Sequence, residues 1–320
     1  MKRSILAAIA LALAGGAHAQ GTYPARPVTM VVGFAPGGGT DITGRTIAKK
    51  LSEYLGQNVV VENRAGAGGN IATEYVSKAN ADGYTILLGN VGSLAVAPHM
   101  NSKLAYDPLR DFAPISMAVV FANVLVVHPS VPANTLAEYV AVANSRLGGM
   151  PYGTSGVGGA GHLAGELFKM VAKVNLVHVP YKGGGPAMSD LLGGQVPSLF
   201  ASAPSVVGPA KAGKIRALAV TSAKRSASFP DVPTIAELGY PGYEATNWYA
   251  YVAPVKTPKD ILERLNREIV RTLTTPETRD QLLSHGEEPS PSTPDELARY
   301  MQREYQTWGK VVKEANILAE

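Results

Sequence analysis

A glycine run set between a buried strand and a helix limits what this chain can become more than any other feature. Val28, Met30, Val31, Val32 and Phe34 make residues 28–34 a near-continuous apolar run, the pattern of a strand covered on both faces. Ala35-Pro36-Gly37-Gly38-Gly39 follows as a turn, and a helix opens at Thr40-Asp41. That helix carries Ile47, Leu51 and Leu55 on one face and stops at Gly56. The three glycines are free to take positive φ, so successive backbone N–H groups can converge on one point. The first N–H groups of the helix are unpaired and lie at its positive end, which makes the turn a place to hold an anion. Asp41 reads in two ways: a dipole-favoured helix residue with Arg45 as its i,i+4 partner, or a carboxylate that orients the loop or a ligand-bound water.

The same strand–glycine loop–helix plan recurs. Residues 58–62 form a second strand, residues 71–79 a helix and residues 84–88 a third strand, after which Asn90 and Ser93 stand just past a strand end, where open α/β sheets place ligand groups. A strand over 123–128 leads to the capping box Thr135-Leu-Ala-Glu138 and a helix that buries Leu136, Tyr139, Val140, Ala143 and Leu147. Glycine-rich stretches at 153–161 and 183–185 then each precede a helix. Further strands are read at 175–179, 196–200, 215–220 and 247–253, and the remainder is helical, ending in a helix capped by Thr293 and Glu296. Alternation of this kind predicts βαβ units and a largely parallel sheet. No low-complexity linker separates the halves, so two α/β lobes joined by crossing strands fit best.

The N-terminus carries a basic head (Lys2, Arg3), an apolar run from Ile5 to Leu13 and Ala17-His18-Ala19, the form of a secretory signal peptide cleaved after Ala19. No later stretch approaches the ~20 apolar residues of a spanning helix, so the mature chain is expected in the periplasm without membrane insertion. The absence of cysteine excludes disulfides, thiol nucleophiles and thiolate metal sites. The net charge of +4 loses the contributions of Lys2 and Arg3 with the leader, leaving a nearly balanced chain with no basic cluster for nucleic acid.

Three chemical motifs fail on their surroundings. Gly156-Val-Gly-Gly-Ala-Gly161 matches a dinucleotide fingerprint, but the next strand runs into Pro180-Tyr181-Lys182 with no acid to bind a ribose, so no cofactor is expected. Ser155, with His162 and Asp190, invites a hydrolase, yet Gly153-Thr-Ser155-Gly-Val157 lacks the final glycine of a nucleophile elbow. The histidines at 99, 128, 162, 178 and 285 show no metal-binding spacing. Phe200 and Trp248 could be core aromatics or cleft walls, and the sequence alone favours core.

Several segments together carry a family resemblance: Phe34-Ala-Pro-Gly-Gly-Gly-Thr-Asp41, Val61-Glu-Asn-Arg-Ala-Gly-Ala-Gly-Gly-Asn70, Asp82-Gly-Tyr-Thr85, Val179-Pro-Tyr-Lys-Gly183, Lys211-Ala-Gly-Lys-Ile-Arg-Ala-Leu-Ala219 and Pro230-Asp-Val-Pro-Thr-Ile-Ala-Glu237. In this order they resemble the Bug-type (TctC-like) receptors of tripartite tricarboxylate transporters, from about Tyr23 to the C-terminus. The resemblance implies a periplasmic-binding-protein fold, a Venus flytrap of two α/β lobes. Lobe 1 would comprise residues 20–123 and 253–320, lobe 2 residues 124–252, with a small carboxylate between them. It places the first grip at Phe34, Ala35, Gly38, Gly39, Thr40 and Asp41, with Asn90 and Ser93 nearby, and the second at Thr154, Ser155 and Gly156. Phe200, Ala201, Ser202, Asn247 and Trp248 would line the remaining wall. Where the family often has Phe-Asp-Asn this chain has Phe200-Ala201-Ser202, which removes a partner for an amine, and Asn247 stands where serine is frequent. The implied role is capture of an aliphatic diacid or aromatic carboxylate for the membrane components of such a transporter, with no catalysis. A hydrolase using Ser155 and a sensor feeding a signalling partner are the alternatives.

Overall fold

Residues 23–314 are described by a computed structural model, so the leader and the cleavage site after Ala19 lie outside the described residues. The strands are β1 (Val28–Val32), β2 (Val59–Asn63), β3 (Thr85–Asn90), β4 (Phe112–Val127), β5 (Met150–Thr154), β6 (Leu176–Pro180), β7 (Ser198–Ser202), β8 (Arg216–Val220), β9 (Thr246–Pro254) and β10 (Glu288–Pro289). The helices are α1 (Gly39–Leu55), α2 (Asn70–Ser77), α3 (Ala97–Met100), α4 (Leu136–Ser145), α5 (Ala160–Ala172), α6 (Gly184–Leu192), α7 (Ala203–Lys211), α8 (Lys259–Thr274), α9 (Pro276–Ser284) and α10 (Pro294–Glu314).

The strands hydrogen-bond in the order β2-β1-β3-β9-β4-β7-β5-β6, with β8 and β10 also paired to β4. The outer strands at each end are parallel, as βαβ connections require, but β9 and β4 run antiparallel to their neighbours. The sheet is therefore mixed rather than largely parallel. Antiparallel pairing lets long strands carry the chain between the halves without a crossover helix.

Strand β4 joins the two halves. Phe112–Ala122 pairs with β9, whereas Asn123–Val127 pairs with β7 and β8. The reading at 123–128 thus caught only the last third of a longer strand. All of β9 pairs within the first group, on β3 and β4, so residues 246–252 belong to the first group of strands. The side-chain alternation of a strand then builds four cores. Tyr249, Tyr251 and Ala253 face α1 and α8, while Trp248, Ala250 and Val252 face α2 and α10. In the second group Leu125 and Val127 face α4 and α5, and Val124 and Val126 face α6 and α7. Helix α4 ends at Ser145, which leaves Leu147, expected in its buried stripe, 99% exposed beyond the cap.

Beneath α1 lies a buried acid. Glu287 bonds Thr43 Oγ1 through Oε1, and its Oε2 has no partner. Burial pushes its pKa up to about 8, against a smaller lowering by Thr43. The Thr43 hydroxyl has both Glu287 Oε1 and the Gly39 carbonyl, at 2.8 Å, as acceptors within reach, so the acid and the first turn of α1 share one donor. A raised folded-state pKa means that stability is fully present below the unfolded value of 4.5 and is lost as pH rises toward about 8, because only the unfolded chain ionises in that window. Glu287→Gln, which cannot ionise, lacks this pH dependence. The melting temperature of the wild type should therefore fall relative to that of the variant between those two pH values. Parallel melting curves across the window would show that Glu287 does not titrate this way.

Candidate functional site

Strand β1 ends at Val32, and the loop that follows is fixed by one carboxylate. Asp41 Oδ2 accepts the Gly37 amide at 3.0 Å, and its Oδ1 accepts Asn63 Nδ2 at 2.9 Å and Arg45 Nε at 2.9 Å. Asn63 Nδ2 also donates to the Phe34 carbonyl at 2.9 Å. Burial alone would raise the Asp41 pKa, but the bonds from Arg45, Gly37 and Asn63 hold it below its ordinary value. Both readings of Asp41 thus operate together: the Arg45 partner exists, and the carboxylate shapes the loop. Of the three glycines only Gly37 takes positive φ, at 79°. Gly38 and Gly39 serve close approach instead. A Cβ at Gly38 would stand 3.0 Å from the Gly184 amide nitrogen, and one at Gly39 would overlap the Ser202 hydroxyl.

This loop forms one wall of a cavity of about 30 Å³. The first half contributes Phe34, Gly38, Gly39, Thr40 and Asn90; the second contributes Thr154, Ser155, Phe200, Ala201 and Ser202, and Asn247 lines it from β9. Five other expected residues lie behind the wall. Ala35 donates its amide to the Lys182 carbonyl at 3.1 Å, a bond between the halves. Ser93 donates its amide to Asn90 Oδ1 at 2.8 Å and so orients that side chain. Gly156, at φ 142°, donates to Thr154 Oγ1 at 3.2 Å. Asp41 is spent on the loop. Trp248 points to the opposite face of β9, fully buried, with Nε1 donating to Glu304 at 2.9 Å. Period-two alternation along β9 puts Asn247 and Tyr249 on the cavity side and excludes Trp248.

The cavity also takes residues that sequence reasoning missed: Asn123, Gly153, Ala160, Gly161, Gly184, Ala187, Leu199 and Tyr249. Asn123 had a signal, a polar side chain in the otherwise apolar run 117–127. It is 1% exposed and its Nδ2 has no hydrogen-bond partner among the described residues. Tyr249 could have been found by alternation from Asn247. Gly184 lies in a glycine loop already noted as a helix start.

The electrostatics are set by backbone. Helices α1, α5 and α6 present their first turns to the cavity through Gly39 and Thr40, Ala160 and Gly161, and Gly184 and Ala187. Ser202 at the wall is the N-cap of α7. Among the described residues, no Lys, Arg, His, Asp or Glu lines the cavity. Converging helix N-termini and an unpaired buried amide create positive potential without a formal charge.

The hydrolase constellation is not assembled. A triad needs its imidazole to donate Nδ1–H to a carboxylate. Here His162 Nδ1 accepts the Gly158 amide at 3.1 Å, and Asp190 Oδ2 accepts the Tyr181 hydroxyl at 2.8 Å instead.

Comparison with known proteins places this arrangement. Residues 43–317 match the model of the tripartite tricarboxylate transporter family receptor. Protein BugT of Bordetella pertussis is 41% identical over 294 residues, 92% of this chain and 90% of that protein. A Rhodopseudomonas palustris protein solved with adipate superposes with a TM-score of 0.89 at 40% identity, covering 92% of this chain and 99% of that one. MatC of Rhodopseudomonas palustris, solved with bound malate, superposes at 0.86 with 33% identity, covering 91% and 100%.

Contact between the halves is glycine against backbone. Gly92 has a helical backbone that suits alanine, yet a Cβ there would stand 2.7 Å from the Gly158 carbonyl oxygen and 3.2 Å from Gly159 Cα. Gly92→Ala should fold and melt like the wild type but hold the halves apart, read as a larger radius of gyration by small-angle scattering. An unchanged radius would mean that the two loops do not meet in solution.

Proposed function

We propose, from the premise that the chain belongs to the tripartite tricarboxylate transporter receptor family, that it captures a small dicarboxylate in the periplasm and delivers it to the membrane components of such a transporter. Members of this family are binding proteins rather than enzymes. The segment ahead of Ala19 would export the chain and be removed.

The observation that carries this reading is a cavity walled by neutral donors and helix N-termini, with an unpaired buried amide at Asn123. Each carboxylate oxygen accepts several N–H or O–H donors at once, so such a wall suits it. Neutral donors also cost less to enclose than an unpaired arginine would. Two relatives solved with adipate and with malate favour the aliphatic diacid over the aromatic carboxylate. The expected grip is carried by Gly38, Gly39, Thr40 and Asn90 from one side, with Asn247 on β9, and by Thr154, Ser155, Ser202 and Asn123 from the other.

Capture works by closure. The clamp would bend where β4 exchanges partners at Ala122 and Asn123, and where the chain re-enters β9 at Thr246. A diacid that bridges both walls binds the closed form better and shifts the population toward it. The closed form then offers the transporter a surface built from both halves.

Titration calorimetry on residues 20–320, unfolded and refolded to strip co-purified ligand, tests this. Adipate and malate should bind, and the matching neutral diamides should not. Thr154→Ala should weaken diacid binding by about 10- to 100-fold, the worth of one hydrogen bond to a charged group. Binding of the diamides with no response to any carboxylate would overturn the anion reading.

A further inference from the structure

Three groups compete for the hydroxyl of Thr154. Its Oγ1 lies 2.7 Å from His178 Nε2, 3.2 Å from the Gly156 amide nitrogen and 3.3 Å from the Gly156 carbonyl oxygen. The amide only donates, so one lone pair of the hydroxyl is already taken. His178 stands on β6 beside β5, half-buried, stacked on His162 at 4.0 Å and 21° and tilted against Tyr152 at 5.2 Å. Burial, then the neighbouring His162 and Lys169, push its pKa down to about 3, so the ring is neutral under ordinary conditions.

A neutral imidazole carries one N–H, and its position decides what Thr154 offers the cavity. With the hydrogen on Nδ1, Nε2 is a bare lone pair that takes the only proton of Thr154 at 2.7 Å. A carboxylate oxygen arriving in the cavity would then meet a hydroxyl lone pair. With the hydrogen on Nε2, the ring donates and both lone pairs of Thr154 are filled, one by His178 and one by Gly156. The hydroxyl proton then has only the long Gly156 carbonyl contact to give up before it turns to a ligand.

We propose that His178 is a positioning residue for ligand capture: held as the Nε2–H tautomer, it makes Thr154 a hydrogen-bond donor to a bound carboxylate. Through Thr154 it also sets the sign of the ligand, because the opposite tautomer would present an acceptor and favour an amine. The inference rests on the carboxylate reading of the cavity, and its test separates the two.

Nitrogen NMR of the histidine-labelled mature protein at neutral pH, with the His178 signals assigned by their loss in His178→Gln, reads the tautomer directly. The expected result is a protonated Nε2 and a bare Nδ1, both without ligand and with adipate. A protonated Nδ1 overturns the proposal whatever binds. In adipate titrations, His178→Phe should lose about 10-fold in affinity, while His178→Gln, whose amide nitrogen can reach the place of Nε2, should keep most of it. The double variant with Thr154→Ala should bind no worse than Thr154→Ala alone. Unchanged affinity in His178→Phe alongside impaired Thr154→Ala would overturn the proposal, as would additive losses in the double variant. If the wild type binds neither adipate nor malate, the carboxylate reading of the cavity fails; if adipate binding survives intact in Thr154→Ala, that reading stands and the role proposed for His178 is overturned.

Discussion

Backbone can meet backbone across this cleft only where side chains are absent, and the rest of the site depends on that contact. A Cβ at Gly183 would stand 2.8 Å from the Ala35 amide nitrogen, one at Gly156 3.2 Å from the Gly68 amide nitrogen, and one at Gly38 3.0 Å from the Gly184 amide nitrogen. These distances leave no room for a methyl group without a shift of main chain. The glycines therefore have two duties. A few, such as Gly37 at φ 79° and Gly156 at φ 142°, permit a turn that other residues rarely adopt. Others, such as Gly38, Gly39 and Gly92, have ordinary backbone angles and are small because the opposite half is near. Bringing the helix starts this close lets α1, α5 and α6 act on one small volume.

Charge is kept out of the lining and used behind it. Asp41 directly follows Thr40 of the lining but spends its oxygens on Gly37, Asn63 and Arg45, so it shapes the donors without opposing an anion. Glu287, beneath the same helix, is buried and shifted toward its neutral form, and it reaches Gly39 through Thr43. An ionised carboxylate there would oppose the positive end of α1; a protonated one supports the first turn by hydrogen bonding alone. One acid is held charged by its partners and the other neutral by burial, and both arrangements preserve the potential at the helix start.

The recurring strand–glycine loop–helix pattern was legible because its signals are local: apolar runs, glycine clusters and capping boxes such as Thr135 with Glu138. Phe34, Gly39, Thr154 and Ser202 could be placed at the cavity from the resemblance because they sit in or beside strand-to-helix turns whose sequence is distinctive. What escaped was set by pairing. The antiparallel course of β9 and the full length of β4 depend on partners more than 100 residues away, which no local pattern reports. The choice between Trp248 and Tyr249 follows from which face of β9 turns toward the cavity, again a tertiary fact. Asn123 belongs to the same class, since a polar residue in a buried strand announces a demand for a partner but not where the partner lies.

The lining also restricts what can be held. An ammonium group brought into this closed space needs a carboxylate or several acceptors, and burying it without them costs several kcal/mol. The residue that could supply such a charge, in the strand carrying Phe200-Ala201-Ser202, is alanine, and no acidic side chain among the described residues reaches the cavity. Asn90 is committed through Oδ1 to the Ser93 amide, and Asn247 through its Oδ1 to the Trp248 amide, so their acceptor oxygens are largely spent on backbone. The amide nitrogens of Asn90 and Asn247 have only long contacts, at 3.4 and 3.5 Å, and that of Asn123 has none. A cavity whose acceptors are engaged and whose donors are loosely held supports the proposed carboxylate guest, which is rich in acceptors, over an amine.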